Sequence, residues 1–195
     1  MNLAIAHSVK EVNMRQIRNG VFETNSSSTH SICISKKPVE CWSFVRFRIG
    51  EYGWENACVS DTASYLYTAI LYAYSYSEAE EKIDKLKNIL DKHSVSYVFE
   101  EPVYETSRWG TYLKYGYIDH GYECTEFVEA VLNDEDMLLR YLFGDSCIYT
   151  GNDNQDNNPE RHNIACEEYY DDDKDEYVTN PYHDTANYDY FYKGN

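Results

Sequence analysis

Apolar and polar positions change period several times along the chain, and each change marks an expected element. Two short β-prone pieces, residues 17–23 and 31–35, flank the polar run Thr24-Asn25-Ser26-Ser27-Ser28-Thr29-His30, a strand–loop–strand pattern. Residues 41–49 alternate Trp42, Phe44, Arg46 and Arg48 with Ser43, Val45, Phe47 and Ile49, which predicts a further strand with one apolar face. Helical spacing follows. Ser60 or Asp61 can cap a helix whose stripe is Leu66, Ala69, Ile70 and Ala73. Ser77-Glu78-Ala79-Glu80 has the S-x-x-E form of a capping box and opens a second helix with Ile83, Leu86, Ile89 and Leu90 inward. Residues 95–105 read as a strand interrupted at Pro102, hence an edge, and residues 112–118 as another. Two short helices are expected over 125–132 and 134–143, the second stopped by Gly144, and then a short strand over 146–150.

Strands and helices in separate runs predict an α+β fold, a small mixed or antiparallel sheet with about four helices packed on one side. Residues 1–14 read as a leader or alternative start, since Met14 would serve equally well as a first residue. Residues 15–154 form the expected single domain. Residues 155–195, rich in Asp, Asn and Tyr and poor in aliphatics, are expected to be an acidic irregular segment.

Charge sharpens this division. The net charge is −17, but residues 1–50 hold seven Lys/Arg against three acids, while the remainder hold ten against 31. Such a field opposes contact with nucleic acid or an anionic membrane and draws in basic proteins. No apolar run approaches the ~20 residues of a membrane span, and no signal peptide opens the chain. Six cysteines spread over 195 residues are expected to be reduced thiols in a cytosol. The 21 tyrosines suit either a binding surface or sheet faces in a small core.

The run Arg18-Asn19-Gly20-Val21-Phe22-Glu23-Thr24-Asn25-Ser26-Ser27-Ser28-Thr29-His30-Ser31-Ile32 resembles a signature of phage and prophage accessory proteins, most of unknown function. Tyr115-Gly116-Tyr117-Ile118-Asp119-His120, and the stretch from Leu138 to Asn154, resemble later blocks of that group. The resemblance spans about residues 15–154. It implies an accessory protein of a class that includes anti-defence proteins, and it implies no reaction.

Four sets of residues could carry function. Asn25, Ser26, Ser27, Ser28, Thr29 and His30 could cradle an anion, or simply hold a loop through side-chain-to-backbone bonds. His30/Cys33, His120/Cys124 and His162/Cys166 are three pairs at short ligand spacing, which would suit Zn2+ as a structural ion. His30, Asp119, His120 and Asp153 would suit a metal-dependent hydrolase. Tyr169, Tyr170, Asp171, Asp172, Asp173, Asp175, Glu176 and Tyr177 set carboxylates beside aromatic rings, where they can stand in for phosphates against an Arg/Lys groove. The function expected from these features is a non-catalytic, anti-CRISPR-like inhibitor acting in the cytoplasm of a bacterial host. It would occupy the basic nucleic-acid channel of a partner such as a Cas nuclease. A hydrolase and a zinc-stabilised structural or virion-associated protein are the alternatives.

Overall fold

The computed structural model describes residues 28–55, 57–108, 110–152, 159–161 and 163–194. In chain order, β1 (Ser28–Ser35), β2 (Phe44–Phe47), β3 (Glu51–Tyr52) and β4 (Ala57–Val59) lead into helices α1 (Thr62–Ala73) and α2 (Tyr76–Lys92). Strands β5 (Ser96–Phe99), β6 (Tyr104–Ser107), β7 (Gly110–Leu113) and β8 (Tyr117–Ile118) follow. A 3-10 turn (Gly121–Cys124) runs into α3 (Thr125–Asn133) and α4 (Glu135–Phe143). The chain ends with β9 (Cys147–Asn152), β10 (Glu168–Asp171), β11 (Glu176–Thr179) and β12 (Tyr188–Lys193). The expected α+β class holds, with four α-helices and small sheets among the described residues.

The largest sheet is antiparallel, in the order β12-β1-β9-β4. β1, one of its two inner strands, is buried along all eight residues, so both of its faces are covered. Alternation sends Ile32 and Ile34 to the face that joins the core with Ile148 of β9. The other face carries Ser31, Cys33 and Ser35. The loop between β11 and β12 lies over part of that face, where the His183 ring stacks on Tyr190 at 4.5 Å. Parallel pairs β2–β5 and β3–β8 and the antiparallel pair β6–β7 border the helices.

α1 departs from the expected amphipathic stripe. Thr62 to Leu71 are buried without a break, as a helix must be when neighbours surround it. Its hydroxyls can go inside because each has a partner. Tyr67 donates to Glu100 O at 2.8 Å, and Thr68 donates to Ser64 O at 2.8 Å while accepting from Gly50 N. Tyr141 of α4 donates to Thr62 O at 2.7 Å. α2 begins two residues earlier than expected, because Ser75-Tyr76-Ser77-Glu78 is a second S-x-x-E overlapping the first. The Glu78 carboxylate accepts from both the backbone N and the Oγ of Ser75. Leu86, Ile89 and Leu90 then point inward as expected.

Three further expectations change. The strand predicted from residue 31 begins at Ser28, so Ser28, Thr29 and His30 of the polar run are strand. The apolar run 112–118 is split between β7 and β8, with Gly116 at φ +80° between them. The C-terminal segment is not irregular throughout. It holds the β10–β11 hairpin and then β12, which pairs with β1 over six residues from His30↔Lys193 to Ser35↔Tyr188. Arg140 of α4 secures this edge by donating to Ser35 O at 2.9 Å and Asp189 Oδ2 at 3.0 Å. The expected strand over 17–23 and the leader lie outside the described residues.

Candidate functional site

β1 delivers the polar residues of its first half into the protein interior. His30 is 0% exposed, and its Nε2 lies 2.9 Å from Gly53 O while its Nδ1 lies 2.8 Å from the Tyr65 hydroxyl. A carbonyl can only accept, so Nε2 carries the proton and Nδ1 accepts from Tyr65. That leaves the Tyr65 oxygen to accept from the Cys124 thiol, 3.6 Å away. Burial, reinforced by the charge of Lys193, pulls the His30 pKa down to about 3. The ring is therefore neutral and enclosed, with both nitrogens used.

Lys193, 2% exposed, donates to Ser28 O at 2.6 Å and Ser28 Oγ at 2.5 Å, with Glu123 Oε2 at 3.9 Å. Ser28 also donates to Asp119 O at 3.4 Å. Thr29 is buried on the opposite face of the strand. Among the residues expected to form a ligand loop, Ser28 and His30 thus have internal partners, whereas the Thr29 hydroxyl is buried without one. Asn25, Ser26 and Ser27 lie outside the described residues.

The expected His/Cys pairs fare differently from their spacing. His30 and Cys33 are three residues apart on one strand, so they project from opposite faces. His120 sits at the entry of the 3-10 turn in a left-handed conformation, φ 50°, with its ring beside Tyr122. Cys124 is buried beside Tyr65, and burial pushes its thiol up to about 11. His30 and Cys124, from two different pairs, are the two that meet, through the Tyr65 hydroxyl. Cys166 is half-buried near Asn180, and His162 and Asp153 lie outside the described residues. Among the described residues no group of three His, Cys, Asp or Glu has a metal-holding arrangement.

The acidic, tyrosine-rich residues form the β10–β11 hairpin. Tyr170 and Tyr177 are directly opposed, with ring centroids 5.3 Å apart in an edge-to-face arrangement. Tyr169 pairs with Val178 on the other face. At the turn, Asp171 Oδ1 accepts from the backbone N of Asp173 and of Lys174, and Lys174 Nζ lies 2.7 Å from Asp171 Oδ2. These donors hold the Asp171 carboxyl below its ordinary range. Asp175 takes the left-handed position, φ 55°, and accepts from the Tyr170 hydroxyl. Asp172, Asp173, Asp175, Glu176 and Tyr177 face solvent, Tyr177 with 71% of its surface exposed. The base of the hairpin is locked by Asn180, whose side chain donates to Asn163 O and Cys166 O and whose backbone N donates to Glu167 O. All eight expected residues thus lie on one hairpin, where Asp171 and the Tyr170–Asp175 pair are partly used in holding the turn together.

Sequence reading missed a second acidic surface. Between α2 and the β5–β6 connection lies a groove of about 400 Å³ with Phe99, Tyr67 and Leu71 in its floor. Tyr76 and Tyr104 meet edge-to-face across it at 5.5 Å, and Glu80, Asp84, Glu100 and Glu101 rim it against one cation, Lys87. Glu100-Glu101-Pro102 at a strand break was the available signal. The placement of Tyr76 opposite Tyr104 depends on tertiary packing.

The chain matches no family model, no curated protein and no solved structure. Its function has to be argued from these surfaces.

Proposed function

We propose that this chain is a non-catalytic protein-binding inhibitor that occupies a basic, nucleic-acid-handling surface of its partner. The observation that carries the reading is the exposed hairpin turn, where the carboxylates of Asp172, Asp173, Asp175 and Glu176 stand beside Tyr177. Carboxylates at close intervals offer Arg and Lys the acceptors that phosphates offer, and a tyrosine adds contact area with two rotatable side-chain angles. The Asn180 lock fixes the hairpin base before binding, which lowers the entropic cost of association. The acid-rimmed groove beside α2 offers a second place for a cationic side chain of the same partner.

The resemblance of the N-terminal run to phage accessory proteins suggests the partner class, a host defence nuclease such as a Cas nuclease in the bacterial cytoplasm. The test is direct. A purified guide-loaded Cas nuclease is titrated with the full chain, and target-DNA binding is followed by gel shift. Stoichiometric loss of DNA binding is expected. Replacing Asp172, Asp173 and Asp175 by Asn should slow association by about tenfold at low salt, with less effect at high salt. Tyr177→Ala should act on dissociation instead. DNA binding that persists at about tenfold excess of the chain across a panel of such nucleases overturns the proposal.

A further inference from the structure

The face of the main sheet turned away from the core gathers half of the protein's six cysteines. Cys33 of β1 is directly opposite Cys147 of β9. Cys58 of β4 is directly opposite Tyr149, two residues further along β9. Side chains alternate along a strand, so Cys33, Cys147, Tyr149 and Cys58 share one face, while Ile32, Ile34 and Ile148 take the other. The three thiols are graded in access: Cys33 is buried, Cys147 half-buried and Cys58 exposed.

The surroundings of these sulfurs are asymmetric. Cys33 faces Cys147 across the β1–β9 pair, and Cys58 and Tyr149 lie beside it on the same face. The neighbouring Cys33 thiol favours the Cys147 thiolate, and the Cys147 pKa falls to about 6 against the opposing effects of burial and Asp145. Cys33 is pushed up by its Cys147 neighbour and by burial, and Cys58 by burial and by Cys147. Of the facing pair, Cys147 is both the more accessible and the more readily ionised. Residues directly opposed across an antiparallel pair have Cα atoms about 4.5–5.5 Å apart, within the span of a disulfide. Cys58 stands diagonally to Cys147, where Cβ atoms are about 7 Å apart, too far for a bond without backbone movement. Cys124, on the core side of the sheet, has the opposite environment, buried with its thiol raised.

We propose that Cys147 and Cys33 form a peroxide-responsive dithiol, with Cys147 the attacking sulfur and Cys33 the resolving one. The Cys147 thiolate attacks one oxygen of a hydroperoxide. An S–O bond forms, the O–O bond breaks, and the departing hydroxide or alkoxide takes a proton from solvent. The Cys33 sulfur then attacks the sulfenic sulfur. The S–S bond forms, the S–O bond breaks, and the hydroxyl leaves as water with the proton of Cys33. Two thiols lose two electrons and two protons, and hydrogen peroxide is reduced to two waters. Because the strands are already paired, the bond closes without a change of fold. It also staples the two inner strands, β1 and β9, to each other.

The test uses the reduced full-length protein. Limiting iodoacetamide near pH 6.5 should label Cys147 ahead of Cys41 and Cys58, although both of those are more exposed. Hydrogen peroxide should then lower the mass by about 2 Da, with a single cross-linked peptide joining Cys33 to Cys147 and a higher melting temperature. In Cys33→Ser the reaction should stop at a sulfenic acid that dimedone traps on Cys147. Cys58→Ser should still form the disulfide. Labelling that follows exposure, Cys41 and Cys58 first, overturns the proposal without recourse to any variant. So does a disulfide that joins any other pair.

Discussion

β1 and the β10–β11 hairpin are both short, polar-rich pieces of chain, and both attract attention as candidate sites, yet the fold treats them in opposite ways. β1 has a strand on each side and a covered surface above and below. Its His30 is closed by Tyr65 and Gly53, and its first residue by Lys193. The hairpin has one covered base and an open turn, so Asp172, Asp173 and Tyr177 remain available to a partner. Residue type is similar; the number of covered sides differs. In β1 the partnered polar atoms of Ser28 and His30 specify one arrangement of the interior, since each would be costly if left alone. In the hairpin, a few polar atoms build the turn and the rest are presented to solvent.

The sharpest break of this comparison is to remove what covers β1. Ending the chain at residue 187 deletes β12, and with it Lys193, Phe191 and the Asp189 partner of Arg140. Cooperative thermal unfolding, followed by near-UV circular dichroism, should be lost. A shortened chain that melts as the full chain does would show that β1 needs no partner on that edge. It follows that C-terminal truncation tests folding, and only point substitutions can test binding by the hairpin.

Substitution of His30 should be next in size. His30→Ala leaves Gly53 O and the Tyr65 hydroxyl without their buried partner and opens a cavity, for a loss of about 3 kcal/mol in chemical denaturation at pH 7. A pH effect accompanies it. The folded pKa of about 3 lies below the ordinary value of 6.5, so the unfolded chain gains a proton that the native state refuses. Stability is therefore unaffected by this group above pH 6.5 and falls as pH drops from there towards 3, by about 1.4 kcal/mol per pH unit at full slope. Between pH 7 and pH 5, above the range where carboxylates titrate, the native protein should lose about 2 kcal/mol that His30→Gln does not lose. Parallel slopes for the two proteins would mean that His30 is not held neutral.

How far the sequence showed this contrast depends on the distance over which each feature is decided. α2 was legible because its cap and its Leu86, Ile89, Leu90 stripe are local, and even there two overlapping S-x-x-E motifs shifted the start by two residues. The β9 strand and the α4 cap, Asp134 accepting from Met137 N at 3.0 Å, were equally local. β12 was not legible. Tyr188-Asp189-Tyr190-Phe191-Tyr192-Lys193 alternates, but its inward side is Asp189, Phe191 and Lys193, and two of those are charged. Partners such as Arg140 and Ser28, 49 and 165 residues away, make that burial possible. The same limit hid the thiol group, since Cys33, Cys58 and Cys147 become neighbours only once the register of three strands is known. The hairpin acids were legible as a cluster, whereas the use of Asp171 in its own turn was not.

The smallest expected effect tests the hairpin from within, by separating the acids that build the turn from those it presents. Asp171 is the builder. It accepts from two backbone amides and from Lys174, and the same donors lower its pKa. A carboxyl lowered in this way contributes stability above its unfolded pKa, near 3.9, which is lost as pH falls through the lower folded value. Asp172 and Asp173 sit one and two residues further on and face water. Asp171→Ala should therefore speed hydrogen exchange at the amides of β10 and β11 several-fold while leaving β1 and α1 unchanged, because the hairpin opens as a local unit. Asp172→Asn and Asp173→Asn should leave exchange in the hairpin as it is. Acidification of the native protein through the lowered Asp171 pKa should loosen the hairpin in the same direction, once exchange is corrected for its intrinsic pH dependence. If all three substitutions loosened the hairpin alike, the turn would depend on its summed charge. The distinction between acids that hold the fold and acids left for a partner would then fail at this site.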